Sequence, residues 1–427
     1  MKKKLLACLF TISISVTACA GSNSDDALSS SSDSAKNIDD ADSADSSESS
    51  GDSAISLYSD NAEGTGNADI NDVAEFEQAD SPLDSGTDSS VSTDALPQTE
   101  EDPGGFFSYT LCFAGDINFD DTWSNMVYYH NNGDNIYNCI DEDYINEMNA
   151  ADIMWINNEF TYSDGGTPMA GKAYTFRANP QNVFILDQLG VDIVGLANNH
   201  VYDYGEEAFL DTLETLEADN ILYVGAGRNL EEASSPVYMK LGEVTIAYVA
   251  ASRAEKNKMT PQATDTSPGI LRCYDTEKFV EAIKEADYNA DFVIALPHWG
   301  TEYSTTLETA QTSSAREYID AGADVVIGAH SHCLQGMEYY NGSLIAYSLG
   351  NYWFNEKTLD TMLLEVEISG LGTDVQCVEI QMIPGTQSGW VTTMADTPEE
   401  KERIYSYMES ISIDIEVDED GYISPAL

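Results

Sequence analysis

The chain has 427 residues, and 75 Asp and Glu against 18 Lys and Arg give it a formal net charge of −57. That balance excludes nucleic acid as a partner, because such binding depends on Lys and Arg neutralising phosphates. Length alone allows two or three domains, but the first quarter lacks the apolar side chains that a core requires.

Lys2, Lys3 and Lys4 precede an apolar run from Leu5 to Val16, and Val16-Thr17-Ala18-Cys19 ends the segment. This is the order of a signal peptide over residues 1–18, too short to span a bilayer as a mature helix. Val-Thr-Ala-Cys resembles a bacterial lipobox, which implies cleavage before Cys19, diacylglycerol on its sulfur and an extracytoplasmic protein lipid-anchored to the cell membrane. Residues 19–104 are rich in Ser and Asp. Roughly 22 acids face Lys36 there, so self-repulsion and scarce buriable surface predict a disordered acidic tether. Removing roughly +3 for the signal and −21 for the tether leaves roughly −39 on the remainder, which is acidic in its own right. Apart from Cys8 and Cys19, the cysteines (Cys112, Cys139, Cys273, Cys333 and Cys377) show no paired spacing of a disulfide framework or zinc knuckle.

From Phe106 onward, strand-like apolar runs alternate with helical patterns. Strands are predicted at Ser108 to Ala114, Ile153 to Asn157, Ile193 to Leu196, Leu222 to Val224, Val244 to Ala250, Phe292 to Leu296, Val325 to Ile327 and Leu344 to Tyr347. A helix is expected over Gln181 to Gly190, with Val183, Phe184, Leu186 and Leu189 on one face, and another over Glu206 to Ala218. Thr276 to Ala286 and Thr309 to Ala321 read as further helices, the latter closed by Gly322. Met362 to Ile368 and Gln376 to Ile383 form a hairpin turning near Gly370 to Thr373, and Glu399 to Ser410 is a late helix.

Several of these runs stop on polar groups. Asp116 follows YTLCFAG, Glu159 follows ADIMWINN, Asn199 and His200 follow VDIVGLAN, His298 follows DFVIALP, and His330 and His332 follow ADVVIGA. Open sheets bind ligands beyond the carboxyl ends of their strands, and a mixture of imidazole, carboxylate and amide oxygen suits borderline divalent metals such as Mn, Fe or Zn. If residues 330–332 are extended, His330 and His332 project to the same side. Gly115, Gly328 and Gly350 permit tight turns at strand ends.

The ordered set FAGD, NNE, ANNH with DYG, GAG, PHWGTEY, GADVVIGAHSH and YSLGNYWF resembles the CapA family of bacterial capsule (poly-γ-glutamate) synthesis proteins, related to calcineurin-like metallophosphoesterases. The resemblance covers about residues 108 to 390 and implies an α+β fold, a four-layer αββα sandwich for the domain at 105–390; residues 391–427 are read as a C-terminal helix and tail packed on it. It also implies a site for two divalent ions, Asp116 and His332 serving one, Asn199, His298 and His330 the other, with Glu159 as bridge. His200 would then be the proton donor. Where the phosphoesterase pattern has Asp-x-His, this chain has Asp116 and Asn118.

Lys172 and Arg177, rare cations in KAYTFR, are candidates for binding an anionic substrate group. Glu302 is a candidate orienter of His298, and Tyr202 to Gly205 read as a turn and helix start. By resemblance the protein takes part in synthesis or export of a poly-γ-glutamate-type polymer with the corresponding machinery. Hydrolysis of envelope phosphoesters, or metal-site binding without turnover, are the alternatives.

Overall fold

The computed structural model describes residues 105–255 and 259–426. The expected signal peptide, the tether and Cys19 lie outside them. Among the described residues no helix is long and apolar enough to cross a membrane.

Two sheets carry the fold. In the first, the order is Val391–Met394, Asp374–Ser388, Leu359–Leu371, Phe106–Ile117, Ile153–Asn158, Ile193–Gly195 and Leu222–Val224, with Asn351–Trp353 paired to the end of Phe106–Ile117. In the second it is Met337–Tyr340, Ser343–Ala346, Val325–Ile327, Phe292–His298, Val244–Ser252 and Val237–Leu241. The middle of each sheet is parallel, so the strands that carry the site end at one rim or feed loops there.

Side-chain alternation explains the stacking. Leu111 and Phe113 face the second sheet, whereas Cys112 and Ala114 face the outer helices; Ile246, Tyr248 and Ala250 alternate in the same way with Ala247, Val249 and Ala251. Each sheet is thus covered on both faces, which is why its parallel strands read as continuous apolar runs. Helices Ser124–Asn131, Glu142–Ala150 and Gly205–Ala218 bury Met126, Tyr144 and Phe209 on one outer face, and Glu277–Asn289 with Thr309–Ala321 bury Phe279 and Tyr318 on the other. The result is the four-layer αββα sandwich.

Several expectations change in detail. The segment expected as one helix over 181–190 is a 3₁₀ turn, Pro180–Val183, followed by Phe184–Gln188. The tighter turn rotates the apolar face, so Ile185, Leu186 and Leu189 are buried and Phe184 is 41% exposed. The expected domain edge at residue 390 cuts a paired hairpin, because Val391–Met394 pairs with Asp374–Ser388. Helix Pro398–Ile411 sends Ile404, Tyr405 and Met408 into the layer between the sheets.

The acidity has an energetic cost inside the first sheet. Glu365, opposite Cys112, is pushed up to about 7 by burial and by repulsion from Glu147 and Glu367. A carboxyl raised in the fold costs stability as pH rises from its unfolded value, about 4.3, through 7. Glu365→Gln should therefore raise Tm at pH 8 and leave it unchanged near pH 4, which paired thermal melts would check.

Candidate metal centre

Both sheets deliver side chains to one rim. Asp116 is the penultimate residue of Phe106–Ile117, the central strand of the first sheet, Glu159 lies one residue past Ile153–Asn158, and Asn198, Asn199 and His200 follow Ile193–Gly195. From the second sheet come His298, the last residue of Phe292–His298, and His330 with His332 beyond Val325–Ile327. All of these side chains are buried, Asp116 and Glu159 completely.

Close backbone approach sets the rim. A Cβ on Gly115 would lie 1.9 Å from the Gly350 carbonyl oxygen, the same oxygen that accepts the Asp116 N–H at 2.8 Å. At Gly328 the obstacle is the Tyr347 carbonyl oxygen, at 2.1 Å. Gly115 and Gly328 thus serve strand contact rather than turning; Gly350, with φ +65°, does turn. His330 and His332 have φ of 96° and 54°. They share the site through left-handed backbone, not through the extended segment the sequence suggested, and a non-glycine residue held there is strain that the surrounding structure must hold in place.

Two groups of ligand atoms result. In one, Glu159, His298 and His330 each offer an atom within 4.8 Å of the others; in the second, Asp116, Glu159 and His332 do so. Glu159 belongs to both. Asn199 joins the first, its Oδ1 2.8 Å from His298 Nε2. Glu159 thus stands between two groups of side chains that could each hold an ion.

Electrostatics suit a cation. Burial lowers His298 to about 3, and burial with neighbouring imidazoles puts His330 well below its ordinary value, so both keep lone pairs at neutral pH. Burial opposes charge on His332, but Glu159 and Asp116 raise it to about 9. Burial and repulsion from Asp116 hold Glu159 well above the carboxylate range; Asp116 itself, despite burial, is lowered by His332. Among the described residues, Glu159 Oε1 and His330 Nδ1 are buried without a hydrogen bond, and Asp116 Oδ2 faces His332 Nδ1 at 3.2 Å. Buried polar atoms left so are costly, and a divalent ion in each ligand group would between them satisfy these atoms. The mixed N and O donor set fits Mn, Fe or Zn.

Around these groups is a second set that sequence reasoning missed. Asn157 Nδ2 donates to Asp116 Oδ1 at 2.7 Å and to Glu159 Oε2 at 3.3 Å, and Asn198 Nδ2 donates to the Asn158 carbonyl at 2.8 Å. Asn351 Oδ1 lies 2.8 Å from His332 Nδ1. Asp203, read from the sequence only as part of a turn, is fully buried with Oδ2 2.7 Å from His200 Nδ1. Its position three residues after His200 was the available signal.

The two cations expected at the substrate are both engaged by the protein itself. Lys172, with its side chain 8% exposed, pairs with Asp203 at 2.6 Å and Glu255 at 3.0 Å, and also donates to the Asn199 carbonyl. Its charge is neutralised by the protein, and it braces the His200 turn. Arg177 donates to the Gly165 carbonyl at 2.6 Å and stacks over Tyr204. Glu302 is exposed in the cleft above the site, while the ring nitrogens of His298 are engaged by Asn157 and Asn199. Asn118 accepts the Asp120 N–H at 2.7 Å and makes a turn.

Comparison with known proteins gives the chain a family. The family model described as bacterial capsule synthesis protein PGA_cap matches residues 110–356, more than half the chain and every residue of the two groups. The chain belongs to that family of bacterial capsule synthesis proteins. It is similar to the PGA biosynthesis protein CapA of Bacillus subtilis (36% identical over 208 residues, 48% of this chain and 54% of the relative) and to the capsule biosynthesis protein CapA of Bacillus anthracis (31% over 216 residues, 48% and 51%). A probable polyglutamine synthesis accessory protein of Mycobacterium tuberculosis is 30% identical over 213 residues, 48% of this chain and 56% of the relative. The matches thus span about half the length of these curated relatives. Among solved structures, a phosphatase from Mycoplasma pneumoniae aligns at TM-score 0.40 with 12% identity, over 71% of this chain and 99% of that one. A putative 5'-nucleotidase from Staphylococcus aureus aligns at 0.37 with 15% identity, over 71% and 58%. At these scores neither carries weight for chemistry.

Proposed function

We propose that this is a lipid-anchored accessory protein for synthesis or export of a poly-γ-glutamate-type polymer at the cell envelope, acting through a divalent-metal centre. The observation that carries the reading is Glu159 standing in both ligand groups, in a chain of the capsule synthesis family. Asp116, Glu159 and His332 would hold one ion, and Glu159, Asn199, His298 and His330 the other. Bound ions supply Lewis-acid charge for an anionic group.

The chain's own part is positioning and proton handling. Asp203 accepts the Nδ1 proton of His200 and fixes the tautomer, which leaves Nε2 to take up or return a proton in the cleft. Burial lowers the His200 pKa, so the ring is held neutral until a substrate group needs it. Asn157 orients both carboxylates, and Lys172 fixes Asp203. The His200–Asp203 pair favours a second reading, metal-dependent hydrolysis of an envelope phosphoester.

Elemental analysis of the full chain after incubation with Mn or Zn and desalting tests the centre. Wild type is expected to retain metal, with His330→Ala and His332→Ala each retaining at most about half. No retained metal in wild type would end the proposal. A phosphodiester screen on the same samples separates the two readings, and labelling with fatty acid, lost in Cys19→Ser, tests the anchor.

A further inference from the structure

Above the candidate centre opens a cleft of about 470 Å³ whose floor includes His200 and His332. Its walls are aromatic: Phe354 lies 4.7 Å from the His332 ring and Tyr303 5.6 Å, and Trp123 and Tyr174 pack edge to face at the mouth. One lysine lines it, beside the carboxylates of Glu302 and Glu356. Lys357 holds its Nζ 3.3 Å from the centre of the Tyr303 ring, and among the described residues it makes no ion pair.

That placement is built. Tyr303 adopts φ 55° and donates its N–H to the Ser331 carbonyl between the two histidines, at 2.6 Å. The Lys357 N–H donates to Asn355 Oδ1, and its carbonyl accepts from Gln387, a fully buried side chain. A lysine over an aromatic face is held by the ring quadrupole yet keeps its charge for a second partner. Lys278, Arg228, Arg316 and Arg403, in contrast, are spent on neighbouring carboxylates.

We infer that Lys357 is the receptor for a carboxylate on the terminal residue of a γ-linked acidic chain, so that the cleft takes chain ends rather than chain middles. The inference rests on the metal-centre reading for the inner end of the cleft. Two facts favour an end. The domain carries roughly −39 and repels a polyanion along its surface, and Glu302 and Glu356 in the cleft repel a run of charges there, so an acidic chain end beside Lys357 meets less repulsion than an internal stretch. The carboxyl-terminal unit of a γ-linked glutamyl chain also carries two carboxylates, its α and its γ, where internal units carry one. One group reaches the centre and the other Lys357, while the aromatic walls pack the methylenes between them.

Calorimetric titration of the full chain, with Mn present, using a γ-linked glutamyl trimer as probe is the test. Wild type should bind it, Lys357→Ala about tenfold more weakly, and Lys357→Arg close to wild type, in line with loss of one charge-assisted contact. Amidating both terminal carboxylates should weaken binding by at least as much. With longer oligomers, affinity per chain should level off. Wild-type affinity in Lys357→Ala, or affinity rising in proportion to chain length, overturns the inference, as does failure of wild type to bind the trimer. Metal content measured on the same samples keeps the two proposals apart. Lys357→Ala should retain wild-type metal, and wild type that holds metal without binding the trimer sinks the receptor alone.

Discussion

Glu159→Gln should abolish metal retention at both halves of the centre while leaving the metal-free protein at least as stable as wild type. The carboxylate is fully buried, repelled by Asp116, and common to both ligand groups. Removing its charge relieves desolvation and repulsion in the metal-free fold. It also takes a ligand from each ion, and affinity should fall by more than the roughly 10- to 100-fold that outer contacts command. Thermal melts with and without Mn read both effects together: the metal-free Tm rises or holds, and the metal-induced increment disappears. A Glu159→Gln protein that still gains wild-type stabilisation from Mn would refute the bridging role. His330→Ala, which spares Asp116 and His332, should keep part of the increment.

Gly115→Ala is expected to be among the most damaging substitutions in the domain. The new methyl would meet the Gly350 carbonyl oxygen at 1.9 Å, and that atom is backbone fixed by its bond to Asp116. Neither partner can swing aside, so the strand must shift and carry Asp116 with it. A loss of about 3 to 5 kcal/mol in urea unfolding follows from strain of this kind, with metal retention reduced as well. Gly133→Ala is the control. Gly133 has φ +88° and open space around it, so only the left-handed penalty, about 1 kcal/mol, applies. A Gly115→Ala protein within about 1 kcal/mol of wild type, the size of that control penalty, would show that the rim is softer than its packing indicates.

Much of this was readable in the chain, for a physical reason. Strands buried on both faces must be apolar along their length, so Val325–Ile327 stands out with its true limits, and runs such as Phe292–His298 show the rim by the polar residue that ends them. Helix Thr309–Ala321 was equally plain, closed by Gly322 at φ 122°. What escaped depends on partners distant in sequence. Lys172 looked like a free cation until Asp203 and Glu255 were seen around it. Asn351 sits on a short strand, Asn351–Trp353, that exists only because Phe106–Ile117 offers it an edge. Helix Ser124–Asn131 lacks a clear apolar stripe and is held by Met126, Tyr129 and the buried Asn125 amide, which donates to the Asn118 carbonyl. The His330-x-His332 pair was legible as chemistry but not as geometry, since left-handed backbone at two histidines has no sequence signature.

The two ligand groups draw on both sheets: Asp116, Glu159 and Asn199 stand on one, His298, His330 and His332 on the other. An ion bound there would rivet the sandwich across its seam at the edge where the hydrophobic filling ends. Its binding energy would then resist sliding of one sheet over the other, at a point where dispersion contacts give least resistance. Resistance of the sandwich to shear at that rim would then follow metal supply as well as side-chain packing.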